Sequence, residues 1–164
     1  MHKPLKRHSS LQPLSREHHH GLLLSWKIRT GLSNNVEIQR IKKYSDWFFE
    51  NCLAPHFEME EKFVFPILGE KHKSVRRALR EHSRLRRLFT ARDRLFRNLN
   101  LIEEELVGHI RFEERVLFNE VQEIADTAQI KLLEDMHAEG SDSDCWNDKF
   151  WEFERPYDSK KRTN

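Results

Sequence analysis

Two ten-residue stretches of this chain repeat one pattern: His, three residues, Glu-Glu, a cation, two apolar residues and Phe. They are His56-Phe57-Glu58-Met59-Glu60-Glu61-Lys62-Phe63-Val64-Phe65 and His109-Ile110-Arg111-Phe112-Glu113-Glu114-Arg115-Val116-Leu117-Phe118. Four residues are about 400° of rotation on an α-helix, so the His and the first Glu of each copy project from one face. That face is apolar. Around His109 and Glu113 it carries Ile102, Leu106, Phe112 and Val116; around His56 and Glu60 it carries Phe49, Cys52, Leu53, Met59, Phe63 and Ile67. An imidazole and a carboxylate set in an apolar stripe are costly unless they are paired or bind a metal. Two such pairs on two helices predict one shared metal site.

Composition decides what can carry these stretches. Charged residues make up 34% of the 164, glycine and proline number five each, and leucine, arginine, lysine and glutamate are abundant. This mix favours helices that bury one stripe and expose a charged face. No apolar run approaches the roughly 20 residues that span a bilayer, so no membrane partner is expected. Cys52 and Cys145 do not build a disulfide framework. The basic stretch Met1 to Arg16 is followed by no apolar core or small-residue cleavage site, so a secretion signal is not expected. The expected location is the cytoplasm. A net charge of +2 points to no class of partner.

Periodicity and breakers place a first helix from Ser15, as N-cap, to Gly31 or Ser33. A second runs from about Val36 to Val64 and closes at Pro66, with Pro55 inside it producing a kink or a helix boundary. The third, about His72 to Phe96, turns Ala78, His82, Leu85, Phe89 and Phe96 inward and Arg76, Arg77, Arg80, Arg84, Arg87 and Arg94 outward. Asn98 and Asn100 mark a connection, a fourth helix covers about Leu101 to Ile124, and Thr127 to Glu139 is a short fifth. The expected fold is all-α, an antiparallel up-down-up-down four-helix bundle over residues 14–139. A basic segment, 1–13, precedes it. A polar loop and aromatic tail, 140–164, follow, with Trp146, Phe150, Trp151 and Phe153 packing on the bundle and Ser159 to Asn164 disordered.

A second echo divides the bundle into two helical hairpins: Arg16-Glu17-His18 on the first helix matches Arg80-Glu81-His82 on the third. Each hairpin then offers one His and one His-x-x-x-Glu. Together Glu17-His18, His56-Phe57-x-x-Glu60-Glu61, Glu81-His82 and His109-Ile110-x-x-Glu113-Glu114 resemble the hemerythrin-like, or HHE cation-binding, family, from Leu14 to about Gln122. The resemblance implies a bundle around two non-haem iron ions, with His18, His56, His82 and His109 as terminal ligands and Glu60 and Glu113 as bridges. Oxygen-carrying hemerythrins have a second His one turn away on the third helix and an Asp five residues after the last His. Here Ala78 and Arg86 flank His82, and Glu113 replaces the Asp. The expected role is binding of iron and a diatomic ligand, O2 or NO, in sensing, storage or detoxification. The alternative is a redox enzyme acting on peroxide or NO.

Imidazole nitrogens with hard carboxylate oxygens suit iron or manganese, with zinc the main rival. On the first helix His18 and His19 stay open, because the echo favours His18 while His19 is in phase with Leu22 and Trp26. Glu61 and Glu114 lie about 100° off the ligand face and are expected to be solvated or to support the ligands. His2, His8, His72 and His137 are expected at the surface. The Glu-x-x-His patterns at Glu17 to His20 and Glu134 to His137 are off the helices with the apolar pairs. The third-helix arginines are expected to form a solvated face partly neutralised by Glu103 to Glu105. The alternative of another class is a metal-free module that docks an acidic partner there; no aromatic residue interleaves the stripe, so nucleic acid is not the expected partner.

Overall fold

The structure, a computed structural model, describes residues 6–136 and 146–153. The polar loop from Gly140, Ser159 to Asn164, Cys145, His2 and His137 lie outside the described residues. Helix α1 is Gln12–Ser33. Helix α2 is a continuous rod, 38–68, passing through Ile38–Phe48, Phe49–Leu53, Ala54–Met59, Glu60–Val64 and Phe65–Leu68. Helix α3 is Lys73–Thr90. Helix α4 is a second rod, 95–124, made of Leu95–Phe112, Glu113–Leu117 and Phe118–Ile124. A short α5, Thr127–Met136, follows. Among the described residues there is no strand, and no helix is long and apolar enough to cross a membrane.

The three connections between the rods are short, which makes consecutive helices antiparallel neighbours and the fold an all-α bundle. Gly21 lets α1 approach α4, because a β-carbon there would stand 2.8 Å from Ile110 Cδ1. The apolar core has two parts. One contains Leu24, Tyr44, Phe57, Leu85, Phe89 and Leu106; the other contains Leu14, Val64, Phe65, Ala78, Leu117 and Phe118. Along α1, His18 stands between Leu14 and Leu24, and along α3, His82 stands between Ala78 and Leu85. A band of buried polar groups therefore crosses the bundle where the two apolar parts meet.

Three segments of the long rods are π-helical, and they correct the expected phase. The Ala54 N–H reaches back to Phe49 O, the Phe65 N–H to Glu60 O and the Phe118 N–H to Glu113 O, each across five residues instead of four. Pro55 and Pro66 follow the first two, so the wider turn absorbs a missing donor, and α2 runs through both prolines without a boundary. One extra residue in a turn shifts the phase of every later side chain on the rod. Cys52 is exposed while Leu53 is buried; Phe63 is half-buried while Val64 and Phe65 are buried; Val116 is exposed while Leu117 and Phe118 are buried. In both copies of the repeat the wide turn starts on the inward Glu.

Other boundaries differ as well. Helix α1 starts three residues before Ser15, since Pro13 supplies a first-turn φ without needing a donor, and Ser15 Oγ instead donates to Glu114 Oε1 at 2.7 Å. Helix α3 stops at Thr90, where Ala91 turns extended and Arg94 takes φ 47°. Phe96 therefore lies in the first turn of α4 and is exposed, and Asn98 and Asn100 lie within that helix. The tail packs as expected at Phe150, which is buried against Gly31 and Ile41, and Arg40 holds Asp148 with two bonds of 3.0 and 2.7 Å. Phe153 is exposed.

Candidate metal centre

The band of polar groups is built from one histidine per helix: His18 on α1, His56 on α2, His82 on α3 and His109 on α4, with Glu60 and Glu113 between them. All six are buried, and both glutamates are 0% exposed. Each histidine turns Nε2 inward. His18 Nε2 lies 3.3 Å from Glu60 Oε1 and 3.0 Å from Glu113 Oε2, and His56 Nε2 lies 3.0 Å from Glu60 Oε1. His82 Nε2 lies 3.3 Å from Glu60 Oε2 and 3.5 Å from Glu113 Oε1, and His109 Nε2 lies 3.1 Å from Glu113 Oε1. The ligand atoms fall into two groups, each within 4.8 Å: His18, His56, Glu60 and Glu113, and Glu60, His82, His109 and Glu113. Both glutamates belong to both groups.

The outward nitrogens complete the arrangement. Each Nδ1 bonds to a half-exposed carboxylate on another helix: His56 to Glu17 at 2.7 Å, His82 to Glu61 at 2.8 Å, His109 to Glu81 at 2.7 Å and His18 to Glu114 at 2.7 Å. Carboxylates thus pass from α1 to α2, α2 to α3, α3 to α4 and α4 back to α1. An Nδ1–H donated outward fixes the tautomer that leaves Nε2 free to bind a cation. The last Phe of each repeat packs on the same histidines that Glu61 and Glu114 hold: Phe65 on His82, ring centroids 5.4 Å apart, and Phe118 on His18, 5.2 Å apart.

The donors fit a metal ion. His18 Nε2, His56 Nε2 and all four oxygens of Glu60 and Glu113 are buried without a hydrogen-bond partner, an arrangement that native interiors avoid unless something else satisfies the atoms. In the metal-free protein, protons would do part of this. Burial alone would keep His56 and His82 neutral, but Glu60 with Glu17 raises His56 to about 9, and Glu113, Glu60 and Glu61 raise His82 to about 10. His18 and His109 are raised against the same burial by their carboxylates. Burial and Glu113 work against ionisation of Glu60, yet His56 and His18 hold it down to about 2. A divalent cation offers the same positive charge without those protons.

All six sequence-selected residues come together. On α1 the structure places His18 in the cluster, while His19 is exposed, as are Leu22 and Trp26, with which it is in phase. Glu61 and Glu114 support histidines. Glu17 and Glu81 had no role assigned from the sequence; the signal was the repeated Arg-Glu-His, whose Glu serves the next helix. The third-helix arginines are partly neutralised: Arg84 holds Glu105 with two bonds of 2.8 Å, and Arg77 holds Glu81 at 2.8 Å. Between α3 and α4 a cleft of about 370 Å³ lined by Arg80, Arg84, Glu105 and Gly108 reaches Glu81 and His109. His72 is half-buried at the start of α3, where its ring accepts from the Ser74 N–H.

Because His18 is buried in the cluster and His19 is exposed, His18→Ala is expected to weaken metal retention by more than about 10-fold, whereas His19→Ala leaves it near wild type. Metal content after dialysis against a chelator measures both, and the reverse order would move the α1 donor to His19.

A family model described as the hemerythrin HHE cation-binding domain matches residues 10–96. The match includes His18, His56, Glu60 and His82; His109 and Glu113 lie beyond it and rest on the internal repeat and the geometry. No curated protein and no solved structure matches the chain.

Proposed function

The chain belongs to the hemerythrin HHE cation-binding domain family, and from that premise we propose that it is a non-haem di-iron protein. In this reading His18 and His56 would hold one iron and His82 and His109 the other, with Glu60 and Glu113 available to both. The observation that carries it is that two clusters of buried donors share both of their carboxylates, an arrangement suited to two adjacent cations. Two imidazoles and the shared carboxylates would supply nitrogen and hard oxygen donors that suit iron, and iron held there would supply the chemistry for binding O2 or NO. The resulting role is sensing, storage or detoxification. Phe57, stacked on His82 with ring centroids 3.8 Å apart, and Phe65 and Phe118 supply apolar cover around the centre. Manganese or zinc would compete for the same donors, and supply in the cell decides among them.

Anaerobic loading with ferrous iron tests the reading. Metal analysis is expected to find two irons per chain, and exposure to O2 and then to NO is expected to change the visible spectrum. Trace metal alone after reconstitution would remove the di-iron reading; two irons with a spectrum indifferent to both gases would remove the diatomic ligand.

A further inference from the structure

The four outer carboxylates look equivalent around the bundle, but their own partners divide them. Glu61 accepts from Arg86 Nη1 at 2.8 Å and Glu81 from Arg77 Nε at 2.8 Å, so both histidines of the His82 and His109 half lean on carboxylates already shared with a guanidinium. In the other half, Glu114 meets Arg7 Nη2 at the longer distance of 3.2 Å and also accepts from Ser15. Glu17, behind His56, meets no arginine or lysine among the described residues and is 36% exposed. A guanidinium competes for the carboxylate's lone pairs and offsets its charge, so less electron density reaches the ring through Nδ1–H and Nε2 becomes a weaker donor.

We propose that the two halves of the centre are unequal: the His18 and His56 half is the tighter and fills first, and Glu17 is the positioning residue that makes it so through His56. The inference rests on the two-metal reading above. Histidine-selective 15N labelling of the full chain tests it, with zinc as a diamagnetic probe. The first equivalent is expected to shift the Nε2 resonances of His18 and His56, and the second those of His82 and His109. Glu17→Gln keeps a hydrogen-bond acceptor and removes the charge; it is expected to weaken the first step by about 10–100-fold and erase the order. Arg77→Met with Arg86→Met leaves Glu17 intact and is expected to strengthen the second step, narrowing the gap from the other side. Parallel shifts of all four histidines in the wild type, earlier shifts of His82 and His109, or an order that survives Glu17→Gln would each overturn the inference. Total uptake reports separately on the di-iron reading: fewer than two metals per chain defeats that reading whatever the order of filling.

Discussion

Ferrous iron added under anaerobic conditions is expected to raise the melting temperature of the metal-free chain, and the double substitution Glu60→Ala and Glu113→Ala is expected to abolish the rise. The effect comes from mass action. A ligand that binds only the folded state adds about 4 kcal/mol when its free concentration is a thousand times its dissociation constant, which for a chain of this size is on the order of 10 °C. The donors that would grip the metal come from four helices, so the unfolded chain cannot assemble them. The metal-free chain should still fold, because the two apolar parts of the core bury residues from all four long helices. The increment on adding iron is the readout, since the double substitution also removes the ion pairs of Glu60 and Glu113 with the histidines and so changes the starting temperature. A wild type that melts at one temperature with and without iron, or a double variant that keeps the full increment, would defeat the assignment of the two glutamates.

The helices were legible because their period is local. His82 could be placed inward from Ala78, Leu85 and Phe89 alone, and all three are buried beside it. The fourth helix was legible through the repeat, although it lies almost wholly outside the residues that the family model matches. Errors gathered where the period itself changes. A constant 100° per residue through Glu60 and Glu113 turns Phe63 and Val116 inward, whereas the π-helical turns hand those places to Val64 with Phe65 and to Leu117 with Phe118. Pro66 hinted at one of these turns; nothing comparable stands after Glu113, and the shared feature is the glutamate itself. Such turns recur at functional sites, where they re-aim a side chain. Glu17 and Glu81 escaped for a different reason. Each acts on a histidine of another helix, and a pattern read along one helix does not reveal what it meets on its neighbour. The Arg-Glu-His echo favoured His18, whereas helical phase favoured His19 because it counted Leu22 and Trp26 as inward, and both are exposed.

Opposite pH dependence with and without metal is the second large effect expected. In the metal-free protein His56 and His82 have folded values near 9 and 10, above the ordinary histidine value of about 6.5. Burial opposes that shift and the surrounding carboxylates outweigh it. A raised value means the folded state holds its proton more tightly than the unfolded chain, so this stabilisation is complete below about pH 6.5 and is lost as pH rises through 9 to 10. Glu60 works at the other end: held near 2, it stabilises above its ordinary value and ceases to do so as pH falls toward 2. The metal-free chain should therefore be most stable between about pH 4.5 and 6.5 and soften steadily above. Metal binding needs neutral imidazoles, so it releases the protons that raised histidines such as His56 and His82 hold, and affinity rises with pH over the same interval. Melting curves from pH 6.5 to 9, with and without zinc to avoid oxidation of iron, are expected to diverge: the metal-free temperature falls while the zinc-dependent increment grows. Calorimetry in buffers of different ionisation enthalpy should record proton release on binding at pH 7. If the metal-free chain gains stability across that interval, or binding releases no proton, the buried histidines are not protonated in the metal-free fold and the carboxylates do not hold them as the geometry requires.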